Sequence, residues 1–257
     1  MLAVRRSTED TANRGFVKDD VVSGQTNMEW ITQWRGSDPD FAKRNSVVLL
    51  GGASLADFRV RIAQSHARDD LTPSYWSLVG VVHGRDRLLT APLWPLSPPE
   101  RMPVTNGVRS LPLRDFDDPA QWPNIAVIRF PGAEQDAVNC IERLAGQRSI
   151  IDVPSLLLSW LAFVWGAGVS GNPLLSGSGV PSAVLVEAAF GMAEVELTPG
   201  LATASSCPEA IYQAAKWWHR YYEQSAGAEE DDARHHPVGR YLLRQTEATY
   251  IEPTSDL

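Results

Sequence analysis

Ser77–Ala91, SLVGVVHGRDRLLTA, reads as two strands folded back on each other. Ser77–His83 and Arg87–Ala91 are short apolar runs, and Gly84-Arg85-Asp86 between them is hairpin chemistry. Upstream, Ser46–Leu50 (SVVLL) is a further apolar strand. A Gly51-Gly52 turn follows it, then Ser54 with Asp57 three residues on, a helix-start signature before LADFRVRIAQSHA. Leu55, Phe58 and Ile62 fall on one face of that helix, the apolar stripe by which such a helix docks.

Pro92–Pro123 is rich in Pro, Asp and Arg and reads as a long surface excursion. Asn124–Phe130 (NIAVIRF) closes it as another strand. Glu134–Leu144 predicts a helix with Ala137, Cys140, Ile141 and Leu144 on one side and Gly146 as its stop, which makes Cys140 a small core residue. Pro154, in a first turn, opens a helix through LLLSWLAFVW, Leu156–Trp165. That run is about half the roughly 20 residues needed to cross a bilayer, so it predicts a buried helix and no membrane span. After the loop Gly168–Gly179, helices are expected over Ser182–Met192 and Pro208–Gln224; the second stacks Ile211, Ala215, Trp218 and Tyr222 in one stripe. The reading is an α+β chain, a central antiparallel sheet packed by helices. It has a polar N-terminal arm (1–45), one folded domain (46–224), and an acidic linker with a C-terminal extension (225–257) whose possible strand is Ala248–Ile251.

Composition narrows the function. Across 257 residues, 23 Lys and Arg against 31 Asp and Glu give a net charge of −8, which argues against a nucleic-acid binder with its basic face. The 44% hydrophobic and 21% charged content is that of a globular chain, not a disordered one. The N-terminus turns polar after four residues and offers no secretory run. With only Cys140 and Cys207 there is no disulfide framework, so a cytoplasmic setting is expected.

Metal and cofactor chemistry find little support. His66, His83, His219, His235 and His236 pair with no other ligand type at a recognised spacing, and the Gly51-Gly52 turn lacks the Lys of a phosphate loop. Cys207, in SSCPEA just before a helix, could have its thiol acidified by the helix N-terminus; the competing reading is a cap ahead of Pro208 and Glu209. His219 lies twelve residues down the same helix, about 18 Å away at 1.5 Å per residue, which leaves His83 as the base for a thiol mechanism.

The order of elements, with Trp76-Ser77-Leu78-Val79-Gly80-Val81, Leu88-Leu89-Thr90-Ala91, Asp152 and Ser182-Ala183-Val184-Leu185-Val186, resembles the circularly permuted papain-like hydrolases. These are relatives of bacterial cell-wall amidases and of lecithin retinol acyltransferase. The resemblance covers about residues 46 to 216. It implies a His at the start of a central strand, a polar residue on the next strand, and a Cys at a late helix start. Here those positions are Leu78, Thr90 and Ser182, while Asp152 matches the Asp of the helix-preceding turn. Leu78 cannot accept a proton, and a serine hydroxyl needs a base even more than a thiol does. Losing nucleophile or base alone costs on the order of 10⁶ in turnover in a well-studied serine protease. His83 is no substitute, because five residues along a strand put it on the opposite face and about 16 Å from Leu78.

The expectation is therefore a catalytically degenerate papain-like module that binds a protein, peptide or acyl-type ligand, with Trp76, Leu78, Thr90, Asp152 and Ser182 around the former groove. Trp76, Trp94, Trp160 and Trp165 either pack the core or line that groove. Trp217 and Tyr221 beside the last helix stripe form an exposed contact patch or pack under the linker. The alternatives are an active thiol amidase or acyltransferase using Cys207 with His83, and a purely structural subunit.

Overall fold

The computed structural model describes residues 16–37, 46–84, 86–93, 107–130, 134–146, 153–166, 171–225 and 237–246. In chain order the elements are β1 (Phe16–Lys18), α1 (Asn27–Ser37), β2 (Val47–Gly51), α2 (Leu55–Ala63), β3 (Leu78–His83), β4 (Arg87–Thr90), β5 (Arg109–Pro112) and β6 (Asn124–Arg129). They continue with α3 (Glu134–Gly146), α4 (Val153–Trp165), α5 (Pro181–Met192), α6 (Pro208–Ser225) and β7 (Val238–Leu243).

The strands form one sheet in the order β1-β7-β6-β2-β3-β4-β5. Every pairing is antiparallel except β1 on β7, so the α+β chain is built on a mixed sheet. The hairpin forms as its sequence predicts, with Val81 opposite Leu89 and Gly84 at φ +64 in the turn. β7 had no clear sequence signal, since VGRYLL carries Gly and Arg among its apolar residues. It is nonetheless an inner strand with β6 on one side. The possible strand Ala248–Ile251 lies outside the described residues, as do Asp152, Trp94, His235 and His236.

Side-chain alternation along the strands gives the sheet two cores. Val79, Val81 and Leu89 face the layer of α2 to α6, with Trp160, Phe190 and Ile211 among the residues that fill it. Leu78, Val82 and Leu88 face the other way, onto Trp30, Ile31 and Trp34 of α1 and onto Leu113 and Phe116. The polar N-terminal stretch therefore supplies a core element. Asn27 Nδ2 donates to the Phe116 and Trp122 carbonyls, and the Trp30 and Trp34 indole N–H groups both donate to Asp19.

One face is turned relative to its sequence pattern. Leu55 and Ile62 on α2 stay exposed, whereas the helix buries Asp57, Val60, Arg61 and Ala63. Apolar periodicity would dock the other side. Ser54, Ser74, Ser77, Gly52 just past β2 and Gln245 just past β7 hydrogen-bond those two charged side chains, and this outweighs the stripe. Among the described residues no helix is long and apolar enough to cross a membrane.

Candidate functional site

Ser182 and Thr90, two of the positions singled out in the sequence, meet at the backbone of Val79. Pro181 at N1 opens α5 and fixes Ser182 in its first turn, against β3. Ser182 Oγ accepts the Val79 N–H at 3.3 Å, and Thr90 Oγ1 donates to the Val79 carbonyl at 2.6 Å. The reason is local. The β3–β4 ladder runs from His83 opposite Arg87 to Val81 opposite Leu89 and ends there, so on that side Val79 has no strand partner. Both hydroxyls occupy the place of the missing ladder bonds, and both side chains are buried. Among the described residues neither bonds an imidazole.

Leu78 does not join them. It packs in the second core, on the far face of the sheet from α5. Trp76 is fully buried in the first core, its ring 5.1 Å from that of Tyr212, and its indole N–H finds no hydrogen-bond partner among the described residues. Trp160 donates to the Gly179 carbonyl at 2.7 Å, while Trp165 is exposed at the end of α4.

Cys207 immediately precedes α6, where the amides of Glu209 and Ala210 reach its sulfur and favour the thiolate. Burial opposes them and wins: desolvation, with the Glu209 charge adding to it, pushes the thiol up to about 12. His83 lies elsewhere, at the far end of β3, its Nδ1 3.1 Å from the Glu142 carboxylate of α3. Both belong to a surface groove of about 330 Å³ lined also by Arg87, Leu89, Val108, Arg109, Ser110 and Ala145.

A second polar cluster escaped the sequence reading. At the C-terminal end of β2, Asp57 accepts from Ser54 Oγ at 2.5 Å and from Ser77 Oγ at 2.6 Å, and Ser77 Oγ accepts the Gly52 N–H at 3.0 Å. A Cβ on Gly52 would stand 2.2 Å from the Asp57 carboxyl carbon, so only glycine admits this approach. Arg61, one turn on, donates to the Ser74 carbonyl at 2.7 Å and to Gln245 Oε1 at 2.9 Å. Glu209 in the first turn of α6 accepts from Ser74 Oγ and Gln213 Nε2, each at 2.6 Å, and its N–H donates to Gln64. Asp57, Arg61, Gln64, Ser74, Ser77 and Glu209 are all buried. Desolvation raises Asp57 to about 6 despite its two serine donors and nearby Arg61, and lowers Arg61. The only sequence signal for this cluster was the Ser54/Asp57 helix start. Such a network can fix chain segments, and the Asp57 and Glu209 carboxylates at its centre are already hydrogen-bonded by neighbouring side chains.

Among the described residues no group of three His, Cys, Asp or Glu side chains is placed to hold a metal ion. No protein-family model, curated protein or solved structure matches the chain.

Proposed function

We propose that the chain is a non-hydrolytic binding module on a permuted papain-like frame, recognising a protein or peptide partner. The observation that carries this reading is the commitment of Ser182 and Thr90 to the Val79 peptide inside a closed core, with no imidazole among the described residues bonded to either. A nucleophile needs an unspent lone pair, a base in hydrogen-bond reach and room for a carbonyl carbon. Leu78, where the family resemblance puts the imidazole, faces the other core. The alternative thiol amidase would pair Cys207, held protonated by burial, with a His83 already bonded to Glu142.

The contact surface is the outer face of α6. Trp217 and Tyr221 are 56% and 48% exposed and stack with ring planes 14° apart, an amphipathic platform of the residue types enriched at interface centres. A photo-crosslinking side chain at position 221 should capture a defined partner that one at exposed Val22 does not, and Trp217→Ala should remove the capture. Rapid labelling of Ser182 by a fluorophosphonate would overturn the non-hydrolytic part.

A structural-subunit reading has its own observation. The thirteen residues of α4 carry no charge, and Leu158 and Trp165 are about 70% exposed on it. Sedimentation of the wild type against Leu158→Glu separates it from the first: self-association lost in the variant favours assembly through α4.

A further inference from the structure

We propose that the outer face of α6 takes an acidic segment of a partner protein, one in which carboxylates flank a proline or aromatic ring. This names the partner of the α6 platform and rests on that reading. Trp217, Arg220 and Tyr221 stand at i, i+3 and i+4 and are all exposed, so the three share one side of the helix. They are also the three residue types most enriched at the energetic centre of protein interfaces.

Arg220 decides the chemistry. It has no hydrogen-bond, ion-pair or ring partner among the described residues, whereas Arg61, Arg68, Arg240 and Arg244 are each held by one. Lys216, one turn back, is a neighbour of the same sign, and burial followed by that repulsion lowers its amine. Like charges four residues apart destabilise a helix, so the face stays unbalanced until an anion arrives. The carboxylates near Lys216 are Glu209, buried and bonded to Ser74 and Gln213, and Asp69, in the segment between α2 and β3. Among the described side chains of α6 Glu209 is the only acid, so the outer face is positive on a chain of net −8.

Ring geometry argues against a nucleic acid as the anion. Trp217 and Tyr221 already stack on each other, 5.4 Å between centroids and 14° between planes, which leaves no slot for a base. A duplex also carries a charge about every 1.7 Å and would bring many phosphates to two cations on an acidic chain. A peptide brings a few carboxylates for Arg220 and Lys216 and lays its ring on the exposed side of Trp217.

Anisotropy titrations of the full chain test this with three labelled peptides, acidic GDEDPWDEDG, its neutral isostere GNQNPWNQNG and basic GKRKPWKRKG, and with an oligothymidylate. Saturable binding of the acidic peptide is expected, about fivefold tighter than of the isostere, weakening severalfold between about 50 and 300 mM salt. Arg220→Glu should weaken it about fivefold or more without unfolding the chain, since the residue is exposed; Trp217→Ala should weaken the acidic peptide and the isostere alike. The partner assignment is overturned if acidic and neutral peptides bind alike, if the basic peptide or oligothymidylate binds as tightly, if Arg220→Glu changes nothing, or if no peptide binds up to about 1 mM. It is overturned too if binding needs Glu229, Glu230, Asp231 and Asp232 changed to Gln or Asn, for then the occupant is the chain's own acidic run. Crosslinking at position 221 judges the platform separately: capture that survives Arg220→Glu but not Trp217→Ala keeps the platform and drops its acidic partner, and capture lost in neither drops both.

Discussion

Two polar islands lie within a few residues of each other along the start of β3, and they are built on opposite terms. Around Val79, two neutral hydroxyls replace the ladder bonds that β4 does not supply. Around Ser74 and Ser77, full charges are buried, Asp57, Arg61 and Glu209, each satisfied by groups from distant parts of the chain. The neutral island is a local repair, while the charged one ties the ends of β2 and β7 to α2 and α6. Neither holds an unspent group in an open concavity. Buried polarity in this chain is structure.

If the charged island carries the fold, Arg61→Met should give the largest loss. It strands the Ser74 carbonyl and Gln245 and leaves Asp57 without its nearby positive charge, a change worth about 3–5 kcal/mol for a broken buried ionic group. Urea unfolding reads it, and a loss below about 1 kcal/mol would mean that water reaches the cluster.

Asp57 sharpens the contrast through pH. Its folded value, about 6, lies above the unfolded one, so the folded chain holds the proton more tightly. Its contribution is therefore fully present below about pH 4 and is lost as pH rises through about 6. The stability of the wild type minus that of Asp57→Asn should fall by roughly 2–3 kcal/mol between those limits. A flat difference would place Asp57 in contact with solvent.

The neutral island should respond less. Ser182→Ala leaves a buried N–H unpaired and costs about 1–3 kcal/mol, and Thr90→Val costs no more. Their double-mutant cycle should show coupling through the shared peptide; strict additivity would separate the two hydroxyls. Trp217→Ala, at the exposed end of the scale, should change stability by no more than about 0.5 kcal/mol while abolishing partner capture.

What could be read from the sequence follows the same division. The hairpin, β2, β6 and the helices α3, α5 and α6 announced themselves by apolar periodicity and by Pro and Gly punctuation, because their burial is apolar; α4 forms where its apolar run predicts, but it is not the buried helix expected, since Leu158 and Trp165 stay exposed on it. α1 and β7 did not. Trp30, Ile31 and Trp34 are scattered in a polar stretch, and β7 interrupts its apolar residues with Gly239 and Arg240. The face of α2 was misread for the physical reason that the two islands share: Asp57 and Arg61 are buried by partners up to 184 residues away, which no local pattern encodes. Ser182 and Thr90 were legible as positions, and the structure brings both to one peptide. That peptide is Val79, one residue beyond Leu78, and one residue along a strand is the opposite face of the sheet.

The rate at which Cys207 is alkylated in the native chain, followed against pH and urea, bears most directly on whether this molecule recognises or cleaves. A thiol pushed up to about 12 in a closed core should react only as fast as the chain unfolds, with a rate that follows the urea transition and shows no midpoint near neutral pH. Fast native-state alkylation with a midpoint below about pH 8, accompanied by loss of an amide or ester hydrolysis, would contradict it.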